Sequence, residues 1–170
     1  MGLTDIKIEL KKLDKDKLID LVADLYKKNK SVKEFLDFYI NPNEIELFEK
    51  YRIKVFEAFY PKRGYNHKLK DGKQAISDFK KHGASPDLLA DLMLFYVETG
   101  VKLTNEFGDI DEGFYSSLET MYMAALKLMK KENLLAKFAD RAGKVVNDTI
   151  DIGWGFYDTL CDIHSDFYTN

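Results

Sequence analysis

The residues with the clearest capacity for chemistry lie in a basic segment from Pro61 to Lys73. It holds five lysine or arginine side chains and two glycines. A helix is predicted to begin inside it, and helix N-termini favour anions, as lysine and arginine do. Lys62, Arg63, Lys70 and Lys73 could therefore bind a phosphate-bearing ligand. The segment lacks the pattern G-x-x-x-x-G-K-[ST] of phosphate-binding loops, and a solvated surface loop is the commoner structure for such a composition.

Trp154 is a second candidate, because it is the single tryptophan and stands between Gly153 and Gly155. Flanking glycines let the backbone adopt a positive φ angle or approach another group closely. Trp154 could then form the floor of a ligand pocket. A lone tryptophan at a helix junction more often fills the core, with its indole N–H bonded to a carbonyl group. The sequence alone leaves both interpretations open.

Cys161 and His164 lie about one turn apart on the last predicted helix and could share a metal ion. A zinc site needs further ligands of this kind, and the other histidines of the chain are His67 and His82. A Cys–His nucleophile pair would need a triad geometry that one helical turn rarely provides. Structural packing is the favoured interpretation of these two residues. We predict no metal, no cofactor and no catalytic residue.

Asp91, Glu98 and Lys102 are charged positions on the most apolar predicted helix, and their spacing places them on one side of it. Glu98 and Lys102 can pair at i, i+4. A carboxylate on a buried helix is costly unless it is paired, so Glu98 could line a cavity. A stripe of side chains facing the surface is the simpler alternative.

Charge is distributed unevenly along the chain, whose formal net charge is −3. Residues 1–82 carry 19 Lys/Arg and 14 Asp/Glu, whereas residues 83–170 carry 7 and 15. This polarity favours a selective surface or self-association. The overall acidity argues against nucleic-acid binding as the main function. With one cysteine, no signal-peptide pattern and no long apolar run, the sequence predicts a soluble cytoplasmic protein without a membrane anchor.

Helical spacing of apolar residues runs through almost the whole chain. We therefore predict an all-α fold of about nine helices in a single domain over residues 1–170, as an irregular bundle or a short stack of helix hairpins. The predicted N-terminal caps are Ser31 with Glu34, Asp71 with Gln74, Ser85 before Pro86, and Asp109 with Glu112. Gly83 and Gly108 are predicted to end helices.

Five segments of the chain, taken together, resemble one family of small bacterial proteins. They are Phe59–Gly64, Lys73–Lys80, Asp91–Glu98, Phe107–Asp111 and Gly153–Phe156. The family is of Bacteroidetes type and is catalogued as a domain of unknown function. The resemblance spans most of the chain and implies one intact helical domain of bacterial, cytosolic origin. It implies no activity and no catalytic residue.

The sequence favours a non-catalytic protein-interaction module that binds an unknown protein partner or itself. Twelve phenylalanines and ten tyrosines support this interpretation, because aromatic side chains anchor many interfaces. The alternative is a small-molecule or phosphate-ligand binder, which could be an enzyme. Its pocket would combine the basic segment 61–73 with Trp154, Glu98 and His164. A third hypothesis is nucleic-acid binding through the basic N-terminal half.

Overall fold

The computed structural model describes residues 2–63 and 67–168, and this part of the chain is helical without strands. Its nine helices are α1 Leu3–Leu10, α2 Lys15–Lys28, α3 Lys30–Ile40, α4 Glu44–Phe59, α5 Leu69–Lys81, α6 Pro86–Phe107, α7 Glu112–Lys131, α8 Leu135–Asn147 and α9 Phe156–Tyr168. The predicted all-α class and the number of helices are confirmed. None of these helices carries an apolar stretch that could span a lipid bilayer.

The contacts of the chain separate it into two compact units, Met1–Asn43 and Glu44–Asn170. The first unit contains α1, α2 and α3, and α2 packs against α3 as a helical hairpin. The hydroxyl of Tyr26 donates to Asp37 across this hairpin over 2.8 Å. Among residues 2–43 no side chain is buried, so the first unit has no closed core of its own. The single domain over residues 1–170 stays a prediction.

Asn29 forms the sharp connection between α2 and α3. Its side-chain oxygen accepts from the backbone N–H groups of Ser31 at 3.0 Å and Val32 at 3.4 Å. These bonds satisfy two of the unpaired N–H groups at the start of α3. The predicted cap at Ser31 with Glu34 is therefore wrong, because the asparagine that ends α2 already supplies the cap.

The second unit is built around α6, which packs against α4, α5, α7 and α8. The side chains of Leu92, Leu94, Tyr96 and Val97 are fully buried along it. This burial confirms the prediction that the most apolar helix is central. The side chain of Leu118 on α7 packs against Gly100 of α6, where an added Cβ would lie 2.5 Å from a methyl carbon of Leu118.

Helix termini in the second unit agree with the predictions in part. Pro86 begins α6, and Gly108 ends it with a φ of 89° that suits glycine. The cap predicted at Asp71 is wrong, because α5 already begins at Leu69. The cap predicted at Asp109 is also wrong. Asp111 caps α7 instead, by accepting from the N–H of Phe114 over 2.8 Å.

Candidate functional site

The basic segment 61–73 contributes to a groove of about 580 Å³ on the second unit, between α4, α5 and the segment before α5. Gly64, Tyr65 and Asn66 of this segment lie outside the described residues. Lys62 and Arg63 line the groove, whereas Lys70 and Lys73 are not among its lining residues. The cations of the groove are Lys54, Lys62, Arg63 and Lys68, and its carboxylates are Glu57, Asp71 and Asp78.

Lys62 already has an anionic partner inside this groove. Its ammonium nitrogen lies 2.6 Å from a carboxylate oxygen of Glu57, and this hydrogen bond raises the pKa of Lys62. An incoming phosphate would have to compete with that carboxylate and approach two others. The groove therefore has mixed charge, and this charge favours the binding of anions only weakly.

Glu98 occupies a different place, between α6 and α8. Arg141 on α8 binds it with two parallel hydrogen bonds, from Nε to Oε1 at 3.0 Å and from Nη2 to Oε2 at 2.8 Å. Nη1 of Arg141 also donates to Asp91 over 3.1 Å. The bonds to Glu98 raise the pKa of Arg141, against the opposing effect of burial. Glu98 thus pairs with Arg141 and not with Lys102, whose ammonium group instead lies 3.7 Å from Glu106.

A second groove of about 520 Å³ runs beside this ion cluster. Glu98, Lys102, Arg141 and Lys144 line it together with Asp148. Each of these charged side chains has a partner of opposite sign. The bidentate pair of Arg141 and Glu98 joins α8 to α6, so we interpret the cluster as structural.

His164 takes part in a network of aromatic side chains between α7, α8 and α9. Its Nδ1 lies 2.9 Å from the Tyr122 hydroxyl, which donates its proton to the carbonyl of Ala142 over 3.0 Å. His164 Nδ1–H is then the donor to the tyrosine oxygen. Its ring stacks on Tyr168 at 4.5 Å, and burial lowers the pKa of the imidazole. This environment supports structural packing for His164.

Within the described residues, no group of three His, Cys, Asp or Glu side chains is arranged to hold a metal ion. Cys161 has the hydroxyl of Tyr157 as its neighbour, and this hydrogen bond raises the pKa of the tyrosine. Cys161 and His164 therefore each have a tyrosine hydroxyl as a hydrogen-bonding neighbour: Tyr157 for Cys161 and Tyr122 for His164.

Trp154 lies on the surface of the second unit, and 61% of it is exposed. The interpretation that it fills the core is therefore wrong. The backbone φ angle of Trp154 is 63°, in the left-handed region that residues other than glycine rarely adopt. The φ angle of the next residue, Gly155, is 67°. Trp154 lines neither the groove at Lys62 nor the groove at Glu98. Neither groove brings the predicted ligand residues together in one place.

Trp154 belongs to an exposed surface that we call the Trp154 face. It consists of two segments, residues 105–109 and 148–154, which are joined by hydrogen bonds from Asn105 to Asp148 and from Gly153 to Asp109. These segments carry the exposed apolar residues Phe107, Ile150 and Trp154 and the exposed carboxylates Glu106, Asp109, Asp148 and Asp151. Phe107 is 75% exposed and Ile150 is 58% exposed. The face is formed where the end of α6 and the following segment meet the segment between α8 and α9.

A third groove, of about 470 Å³, lies on the α2–α3 hairpin of the first unit and is almost entirely apolar. We call it the hairpin groove. It is lined by Lys15, Leu18, Ile19, Val22, Ala23, Tyr26, Leu36 and Ile40.

A family model described as a family of unknown function, DUF6155, matches residues 1–167. The chain belongs to this family. Comparison with curated proteins finds no match, and comparison with solved structures finds none either. Membership of DUF6155 confirms the predicted resemblance to a family of unknown function, whereas a Bacteroidetes-type or bacterial origin stays a prediction.

In this DUF6155 chain the sequence patterns did not point to Arg141, which binds both Asp91 and Glu98. Its partners Asp91 and Glu98 are separated from it by 50 and 43 residues. A local pattern cannot reveal such a pair. The hairpin groove could have been inferred from the sequence, because the apolar residues of α2 and α3 recur at helical spacing.

Proposed function

We propose that the chain is a non-catalytic protein-interaction module that associates through the hairpin groove. The observation that carries the proposal is the absence of any buried side chain in residues 2–43, combined with an apolar groove along α2 and α3. Apolar side chains gain free energy when they leave water, by about 25 cal/mol for each Å². A partner that covers the groove supplies this gain.

The lengths of α2 and α3 support the need for a partner. They have 14 and 11 residues, and isolated helices of this length are marginal in water. A unit of about 40 residues rarely buries enough surface to be stable without oligomerisation or another staple. The hairpin therefore gains order from any surface that completes its core.

A second copy of the hairpin is the occupant that we propose. Residues 1–43 carry nine Lys/Arg and eight Asp/Glu, so two copies would meet without strong net repulsion. Two helical hairpins that face each other through apolar stripes form a four-helix bundle with closely packed helices. The symmetric contact would bury Leu18, Val22 and Leu36 from both chains.

Sedimentation equilibrium on the full chain tests this assignment with Val22→Asn and the matched control Ile45→Asn. Val22 lines the hairpin groove, whereas Ile45 is an exposed apolar residue of α4. We expect a dimer of the wild-type chain, a dissociation constant raised at least about tenfold by Val22→Asn, and little change with Ile45→Asn. A wild-type chain that stays monomeric at high concentration would refute the proposal.

The two other hypotheses have weaker support. For ligand binding, the groove at Lys62 gathers four cations but also three carboxylates, and Lys62 is paired with Glu57. For nucleic-acid binding, Lys12 and Lys17 in the N-terminal half lie within ion-pair distance of Glu9 and Asp14. In both places carboxylates offset the positive charge that phosphate groups would require.

A further inference from the structure

We propose that the Trp154 face is a second binding surface, which takes a cationic amphipathic segment of a partner protein. The proposal concerns the second unit alone and does not depend on the hairpin groove. It rests on three observations: two chain segments fixed together, large apolar side chains left exposed on them, and an excess of carboxylates on the same segments.

Hydrogen bonds fix the two segments that form the face. The side-chain amide of Asn105 donates to the carbonyl of Asp148 over 2.8 Å. The N–H of Gly153 donates to Asp109 over 3.4 Å, and Asp109 also accepts from the hydroxyl of Tyr115 at 3.0 Å. A Cβ on Gly153 would lie 2.7 Å from a carboxylate oxygen of Asp109, so a larger residue would have to displace that carboxylate.

The exposed apolar side chains occupy both segments. Phe107 ends α6, while Ile150 and Trp154 lie between α8 and α9. A positive φ at a tryptophan is energetically unfavourable and persists only where the surroundings impose it. The preceding residue, Gly153, donates to Asp109, and the indole of Trp154 is exposed. Tryptophan is the residue type most often found at the energetic centre of protein interfaces.

The negative charge of the Trp154 face indicates that its partner is positively charged. Glu106, Asp109, Asp148 and Asp151 lie on the same two segments as the apolar side chains. Lys102 pairs with Glu106 and Lys144 pairs with Asp148, so these four carboxylates exceed the two paired lysines by two negative charges. A second copy of this face would bring like charges together, and an anionic lipid surface would be repelled in the same way. A segment with lysine or arginine around apolar anchors matches both the charge and the apolar groups.

Intrinsic fluorescence measures occupancy of this face directly, because Trp154 is the only tryptophan of the chain. The probe is a synthetic helical peptide of leucine and lysine, about 14 residues long to span four turns. Added to the full chain, it should shift the Trp154 emission to the blue in a saturable manner. Higher ionic strength should weaken the binding. An unchanged emission spectrum would overturn the proposal.

Variants locate the binding while they keep the fluorescent residue. Phe107→Ser and Ile150→Ser should each weaken peptide binding about tenfold. Three controls should leave it unchanged: Ile45→Ser, another exposed apolar position; Asp162→Asn, a carboxylate of α9; and Val22→Asn, in the hairpin groove. If Asp162→Asn or Val22→Asn weakens binding as much as Phe107→Ser, or if a leucine–glutamate peptide binds equally well, the assignment is wrong.

Discussion

Arg141 joins two carboxylates of α6 to α8. Its guanidinium group binds Glu98 in a bidentate manner and reaches Asp91 on the same helix. The cluster is partly screened, because 39% of the arginine side chain is exposed. Removal of the arginine would leave two carboxylates half-buried on one side of α6, where they would repel each other without a counter-ion.

We predict that Arg141→Met lowers the free energy of unfolding by about 1–2 kcal/mol. The value lies below that of a fully buried ion pair, because solvent screens the cluster. Urea denaturation of the full chain measures it. The matched control is Lys137→Met, which removes an exposed pair with Asp87 and should change the free energy of unfolding by less than about 0.5 kcal/mol. Equal effects of the two substitutions would show that the Arg141 cluster stabilises the fold no more than an exposed ion pair does.

At the scale of the helices, the side chain of Leu118 on α7 packs directly against Gly100 on α6. An added methyl group there would lie 2.5 Å and 2.7 Å from the two methyl carbons of Leu118, and 3.1 Å from a ring carbon of Phe59. Leu118 is fully buried, so it has little space into which to move. Gly143 on α8 offers the contrast, since its nearest neighbour would be a ring carbon of His164 at 4.0 Å.

These distances predict opposite effects of the same substitution. Gly100→Ala should destabilise the chain by about 1–3 kcal/mol, because overpacking outweighs the better helix propensity of alanine. Gly143→Ala should stabilise it by up to about 1 kcal/mol, because only the propensity changes. The midpoint of thermal or urea unfolding measures both. A stabilising Gly100→Ala would contradict the close packing of Leu118 and Phe59 against Gly100.

The helices themselves could be predicted because their apolar residues recur at local spacings of three and four. Their ends were harder to predict, since competing acceptors lie only a few residues apart: Asn29 replaces Ser31, and Asp111 replaces Asp109. Asp109 does not cap α7, and its carboxylate instead accepts a hydrogen bond from Gly153, 44 residues away in the sequence. The pairing of Glu98 with Arg141 and the exposure of Trp154 depend on such distant contacts, which local patterns do not encode.

At the scale of the whole chain, the two compact units differ in how far they bury their apolar side chains. The second unit buries its own around α6, whereas described residues of the first unit bury none. Exposed apolar side chains along α2 and α3 are the basis of the proposed self-association, and the acidic charge of residues 83–170 is consistent with the proposed cationic partner. Self-association and partner binding would then use different parts of the chain.

Amide hydrogen exchange of the full chain at low and high protein concentration tests the central claim most directly. If the hairpin groove is the contact between two copies, the amides of α2 and α3 should become protected as concentration rises. Those of α6 should stay protected throughout, because their helix is central to the second unit. Exchange in α2 and α3 that is independent of concentration would contradict the account.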